Sequence, residues 1–206
     1  MKNQTTNKQD RWLMQRWAQA RQFEDAMNSA RERYQFLFTE VYKRLTKKYP
    51  EIKERVFHRL SERVAELDYG DGGGSVGFSN PKWPRAWNTW PSGIWLSNVS
   101  LDELVSERAP APSVCIWLGV TKRDDKRIEA LRRSLFAKCS KLRGCRFAHF
   151  QEDDPSDNRV CLWYELPEQG PGLLQLALRD DGQAFVDCVA HHVEVMAGLA
   201  QGLDNL

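Results

Sequence analysis

SVCIWLGV at 113–120, TKRDDKRIEALRRSLFAKCSKLRG at 121–144, RFAHFQ at 146–151 and RVCLWYEL at 159–166 spell strand, basic helix, strand and strand. In the first strand Val114, Ile116, Leu118 and Val120 point one way, and Cys115 and Trp117 the other. Both faces are apolar, which predicts an interior strand covered on two sides. The strand at 160–166 has the same character. In the helix, Ile128, Leu131, Leu135, Cys139 and Leu142 form one stripe. Lys122, Lys126, Arg133 and Lys141 fall on the opposite side at ~100° per residue. Thr121-x-x-Asp124 suits a capping box, and Gly144 suits a left-handed stop. QEDDPSDN at 151–158 reads as an acidic turn; its carboxylates offer oxygen ligands, but the EF-hand spacing and glycine are missing.

Upstream, residues 11–48 carry Leu13, Trp17, Ala20, Phe23, Met27, Ala30, Tyr34, Leu37, Val41 and Leu45 at spacings of mostly three and four. That seam predicts a long helix of coiled-coil type. Tyr49-Pro50 interrupts it, because a residue before proline leaves the α region. Pro50 and Glu51 suit the first turn of a second helix, with Ile52, Val56, Leu60, Val64 and Leu67 on one stripe. The two helices together form an expected arm over 11–69, packing on the body or on a second copy of the chain. Residues 1–10 are polar and expected to be disordered, and 70–206 is expected to be an α+β domain. The expected fold class is α+β: a mixed, mainly antiparallel sheet of about five strands, covered by two helices.

The glycine run ending in Gly72-Gly73-Gly74 joins helix to strand. Gly73-Gly74-Ser75-Val76-Gly77 matches G-x-S-x-G, but a nucleophile elbow needs strand before and helix after, and here that order is reversed. Three tryptophans follow in NPKWPRAWNTWP. Trp83, Trp87 and Trp90, beside Lys82 and Arg85, suit base stacking, a partner groove, or a cover over the sheet. The segment at 93–99 reads as a strand and 101–105 as a short helix. Residues 173–178 fit strand or helix equally. The last helix, at about 182–203, buries Phe185, Val189, Val193, Met196, Leu199 and Leu203. Cys188 with His192, and Asp187 with His191, share helix faces four residues apart. Zinc takes such ligands, but a structural site needs four, and His149 or Cys145 would have to be supplied by the fold. No cofactor and no metal are expected, and these groups read as packing or surface residues.

The net charge of +2 conceals a division along the chain. Residues 1–68 hold 15 Lys and Arg against 10 Asp and Glu, 122–146 hold 10 against 3, and 147–206 hold 2 against 11. Such blocks predict oriented partners or pairing between segments. The basic helix therefore reads as a solvated face, a phosphate contact, a protein-partner contact, or a complement to the acidic last third. Five cysteines without short paired spacing point to a reducing, cytoplasmic setting. No apolar run is long enough to cross a membrane.

From Gly74 onward the pattern resembles the accessory region that follows the nuclease core in some PD-(D/E)XK superfamily proteins. The resemblance rests on the G-x-S-V-G-F opening, GIWL, CIWLGV, RSLFAKCSKL, RVCLWYEL and FVDCVAHHVEVM. It implies a role near restriction-like or mobile-element defence systems. The nuclease chemistry itself needs an Asp and a Glu-x-Lys on adjacent strands around a metal. Glu51-Ile52-Lys53 alone has that spacing, and it falls in the expected second helix, where residues two apart do not converge. Glu165 is borne on a strand, but Trp163 and Pro167 beside it complete no site. The expected function is a non-enzymatic binding or assembly protein acting on protein or nucleic acid; the alternative is a nucleic-acid-processing enzyme or a degenerate subunit of one.

Overall fold

The computed structural model describes residues 8–58, 74–83, 92–106, 109–119, 125–148 and 159–201. The strands are β1 Glu54–His58, β2 Ser75–Ser79, β3 Gly93–Ser97, β4 Ser113–Gly119, β5 Arg146–Ala148 and β6 Arg159–Glu165. They form one sheet in the order β1-β2-β3-β4-β6-β5. The class is α+β as expected, and among the described residues all five strand pairings are antiparallel. The helices are α1 Lys8–Lys48, α2 Leu101–Leu104, α3 Asp125–Cys139, α4 Gly170–Leu178 and α5 Gln183–Ala200.

The second helix expected after Pro50 is instead edge strand β1. Ile52 and Val56 are four apart, a spacing that places residues on one face both in a helix and in a strand. Pairing with β2 decides between them: Arg55 lies opposite Phe78 and Val56 opposite Gly77. Lys53 N–H donates to Ser79 O at 3.0 Å, continuing the ladder beyond the strand. The remainder of that expected helix, 59–69, lies outside the described residues. Because β1 is in the sheet and α1 lends Tyr34, Leu37, Phe38, Val41 and Leu45 to the core, the body draws on both sides of the expected boundary near residue 70.

The register separates two faces. Phe78, Ile94, Ile116 and Leu162 lie in one cross-strand row, and Val76, Leu96, Val114 and Tyr164 in the next. This face meets the helices: all but the half-buried Tyr164 are fully buried in one cluster with α1, α3 and α5. Fully burying one such side chain stabilises by about 1.5–3 kcal/mol. The opposite face carries Val56, Gly77, Trp95, Cys115, Trp163 and Arg146 in a single row across all six strands. A Cβ on Gly77 would stand 2.7 Å from the Trp95 ring, so the indole lies flat where the glycine leaves room. Arg146 stacks over Trp163 at 5.4 Å. Cys115, Trp117 and Trp163 are only half-buried, so β4 is less covered on this side than its apolar sequence predicts.

Local chemistry fixes the ends. Ser100 and Glu103 close a reciprocal capping box on α2, with the Ser100 N–H donating to Glu103 Oε2 at 2.9 Å. The 173–178 segment is helical, inside α4, with Pro171 in its first turn where a missing N–H costs nothing. Gly144 has φ +80, the left-handed conformation expected of it, although α3 itself ends five residues earlier, at Cys139.

Candidate functional site

Helix α1 extends beyond the body. Its 41 residues span about 60 Å at 1.5 Å per residue, yet only the C-terminal part touches the body. Tyr34 Oη donates to Val99 O at 2.8 Å, and Phe38 packs edge-on to Tyr34 and Phe185. Helix α5 runs alongside in the same direction. Arg33 meets Asp181 at 2.9 Å, Arg44 meets Asp187 and Glu194, and Lys48 meets Glu194 at 2.8 Å. The basic first third of the chain therefore pairs with the acidic last third, as the charge blocks predict. Burial alone raises the Glu194 pKa, but the Lys48 ammonium and the Arg44 guanidinium outweigh it and hold the carboxyl below its ordinary value.

N-terminal to Arg31 the same seam leaves the body. Residues 14–26 are exposed on every side, with Trp17 74% and Phe23 65% accessible. Apolar residues scattered singly on a surface need no explanation, but Trp17 and Phe23 lie along one exposed stripe of this helix.

The second place is the basic helix. Lys126, Arg133 and Lys141 are exposed on and just after α3, and Lys82 is exposed after β2. Arg133 is tied to Glu129 at 2.9 Å, one turn away on the same helix. Lys138, which the sequence did not single out, donates to Leu199 O and Gln201 O and closes the C-terminus of α5. Leu131, Leu135 and Cys139 are buried as the stripe requires. Trp83 is buried in the main core rather than presented for stacking. Lys122, Arg85, Trp87 and Trp90 lie outside the described residues, as does the acidic turn at 151–158.

The third place was only half visible in the sequence. Cys188 and His192 do share a face of α5, and Glu168 from the β6–α4 loop reaches the same point. The His192 Nε2 lies 3.4 Å from Glu168 Oε2, and Nδ1 lies 3.0 Å from Tyr164 Oη. Burial lowers the His192 pKa against the pull of Glu168. Burial and the Glu168 carboxylate push the Cys188 thiol up to about 12. Tyr164 is also raised, chiefly by burial. Cys145, beside Cys139, is raised to about 12, again chiefly by burial, so it is a thiol in the resting protein. Asp187 faces Arg44 instead of the exposed His191. Glu168 was missed because nothing in Pro167-Glu168-Gln169 announces that this loop passes α5. Tyr164 alternates with Leu162 and Leu166 along β6, but the sequence did not single it out.

Two motif matches find their physical setting. Ser75 is buried at the start of β2 with strand following, so no sharp strand-to-helix turn presents it. Glu51-Ile52-Lys53 is not helical as expected: it is a turn leading into β1. The neighbouring β2, Ser-Val-Gly-Phe-Ser, sets no carboxylate against it. No family model matches the chain, and no curated protein or solved structure is significantly similar to it.

Proposed function

We propose that this is a non-enzymatic assembly protein whose projecting helix docks on a second copy of the chain, leaving its basic surface for a nucleic-acid-associated complex of the restriction or mobile-element defence type. The observation that carries this reading is the exposed seam of Trp17, Ala20 and Phe23, continuous with the buried seam of Tyr34, Leu37, Val41 and Leu45. In the first half of α1 the apolar stripe packs against no other element, whereas most helical stability comes from packing such a face. Packing its apolar stripe against a partner supplies what propensity does not.

The seam is self-complementary in the antiparallel sense. Aligning two copies about Ala20 sets Trp17 against Phe23 and Leu13 against Met27. That is the isologous pattern of a two-fold dimer, in which each contact occurs twice. Light scattering over a concentration series should show a monomer–dimer equilibrium that Trp17→Ser with Phe23→Ser abolishes. Ala20→Cys should cross-link to itself under mild oxidation. A wild-type chain that stays monomeric at high concentration refutes the docking arm.

A further inference from the structure

Glu168, Cys188 and His192 each present one ligand atom, and the three atoms lie within 4.8 Å of one another. We propose that they are the protein ligands of one zinc ion, held between the β6–α4 loop and α5. This goes beyond the assembly reading and is independent of it.

The donor set comes first. One thiolate, one imidazole and one carboxylate suit a borderline-soft ion; magnesium and calcium take oxygen and leave sulfur alone. Cys188 and His192, four apart on α5, present both side chains to one point, and Glu168 arrives from a separate element. The site therefore exists only in the folded chain.

The distances come next. A charge-assisted N–H···O bond is about 2.7–2.9 Å long. The observed 3.4 Å from His192 Nε2 to Glu168 Oε2 is too long for that. It is the edge of a tetrahedron: ligands about 2.0–2.1 Å from zinc stand about 3.3 Å apart. Glu168 Oε2 is also buried, and only the Cys188 thiol and the His192 ring face the Glu168 carboxylate, neither in a short, well-formed hydrogen bond. A buried carboxylate oxygen left unsatisfied is costly, and a cation at the centre of the three ligands removes that cost.

The support behind the ligands fits as well. Tyr164 Oη holds His192 Nδ1 at 3.0 Å. With the proton on Nδ1 donated to the phenol oxygen, the Nε2 lone pair points toward Glu168 and Cys188, the usual outer-shell device for a zinc-bound imidazole. Tyr164 is itself fixed by its strand, opposite Val114. Three protein ligands leave the fourth position to water or an incoming ligand.

The test uses the full chain, stripped with a chelator and titrated with cobalt(II) and then zinc. One equivalent of cobalt should give tetrahedral d–d bands and a thiolate charge-transfer band, both bleached by zinc. Cys188→Ser should remove the charge-transfer band. His192→Gln and Glu168→Gln should each weaken zinc by tenfold or more, and Tyr164→Phe by about tenfold at unchanged stoichiometry. Zinc should also raise the thermal midpoint of the wild-type chain, a readout that survives if a variant fails to fold. A wild-type midpoint indifferent to zinc overturns the proposal. So does a charge-transfer band that persists in Cys188→Ser, which would assign the metal to Cys139 and Cys145.

Discussion

Phe23 and Phe38 lie on one helix, but the structure gives them opposite roles. Replacing each by alanine separates those roles quantitatively. Phe38 is completely buried, with ring centroids 5.2 Å from Tyr34 and 5.3 Å from Phe185, both nearly perpendicular. Phe38→Ala removes the transfer free energy of the ring, opens a cavity and breaks both aromatic pairs; such truncations cost about 3–5 kcal/mol. That is a large share of the roughly 5–15 kcal/mol by which a domain is stable. Phe23 is 65% accessible. Phe23→Ala removes almost no burial and installs a better helix former, so stability should stay within about 0.5 kcal/mol of wild type. The assay is urea unfolding by far-UV circular dichroism, at a concentration where light scattering reports monomer, with the slope checked for constancy. A Phe23→Ala loss comparable to that of Phe38→Ala would mean that the N-terminal half folds back on the body. A Phe38→Ala loss under about 1 kcal/mol would remove α1 from the core.

Two further outcomes follow from the charges. Glu194 is held below its ordinary pKa by Lys48 and Arg44, so its contribution is present above the unfolded-state value near 4.5 and is lost as pH falls through the lower folded value. Glu194→Gln should therefore lower the urea midpoint at pH 7 and converge with wild type in acid, measured in chelator; parallel curves down to pH 3 would contradict the pairing. Any nucleic acid bound by the basic helix should dissociate steeply with salt. Lys126→Glu with Arg133→Glu should flatten that slope in a filter-binding titration, whereas an unchanged slope moves the contact off α3.

The sequence made the regular elements legible wherever one period stood alone. The α1 seam, the α3 stripe and the α5 stripe match only a helix, and SVCIWLGV matches only a strand. Residues 52–56 were misread because a spacing of four satisfies both periods, and the deciding partner, β2, lies some twenty residues downstream. The sheet order was not legible either: β6 inserts between β4 and β5, and local sequence carries no mark of that. The candidate surfaces divide the same way. The exposed half of α1 has the same pattern as its buried half, so only the body's extent tells them apart. The Cys188–His192 pair was readable from helical spacing, whereas Glu168 depended on where a loop comes to rest.

Helix α5 explains why the chemistry gathers where it does. Phe185, Val189, Val193 and Met196 occupy the stripe that meets the sheet, all fully buried. Asp187 and Glu194, seven apart, fall on the flank that faces Arg44 and Lys48 of α1. Cys188 and His192 fall on the other flank, toward Tyr164 and Glu168. The acidic residues of the last third are thus not a diffuse field: on this helix they sit where α1 supplies cations. The thiol and the imidazole sit on the one flank where no arginine or lysine is paired among the described residues. The imidazole and the carboxyl group there have no competing cation to answer. That separation places the Cys188–His192 pair and the ion-pair ladder on different flanks of one helix of eighteen residues.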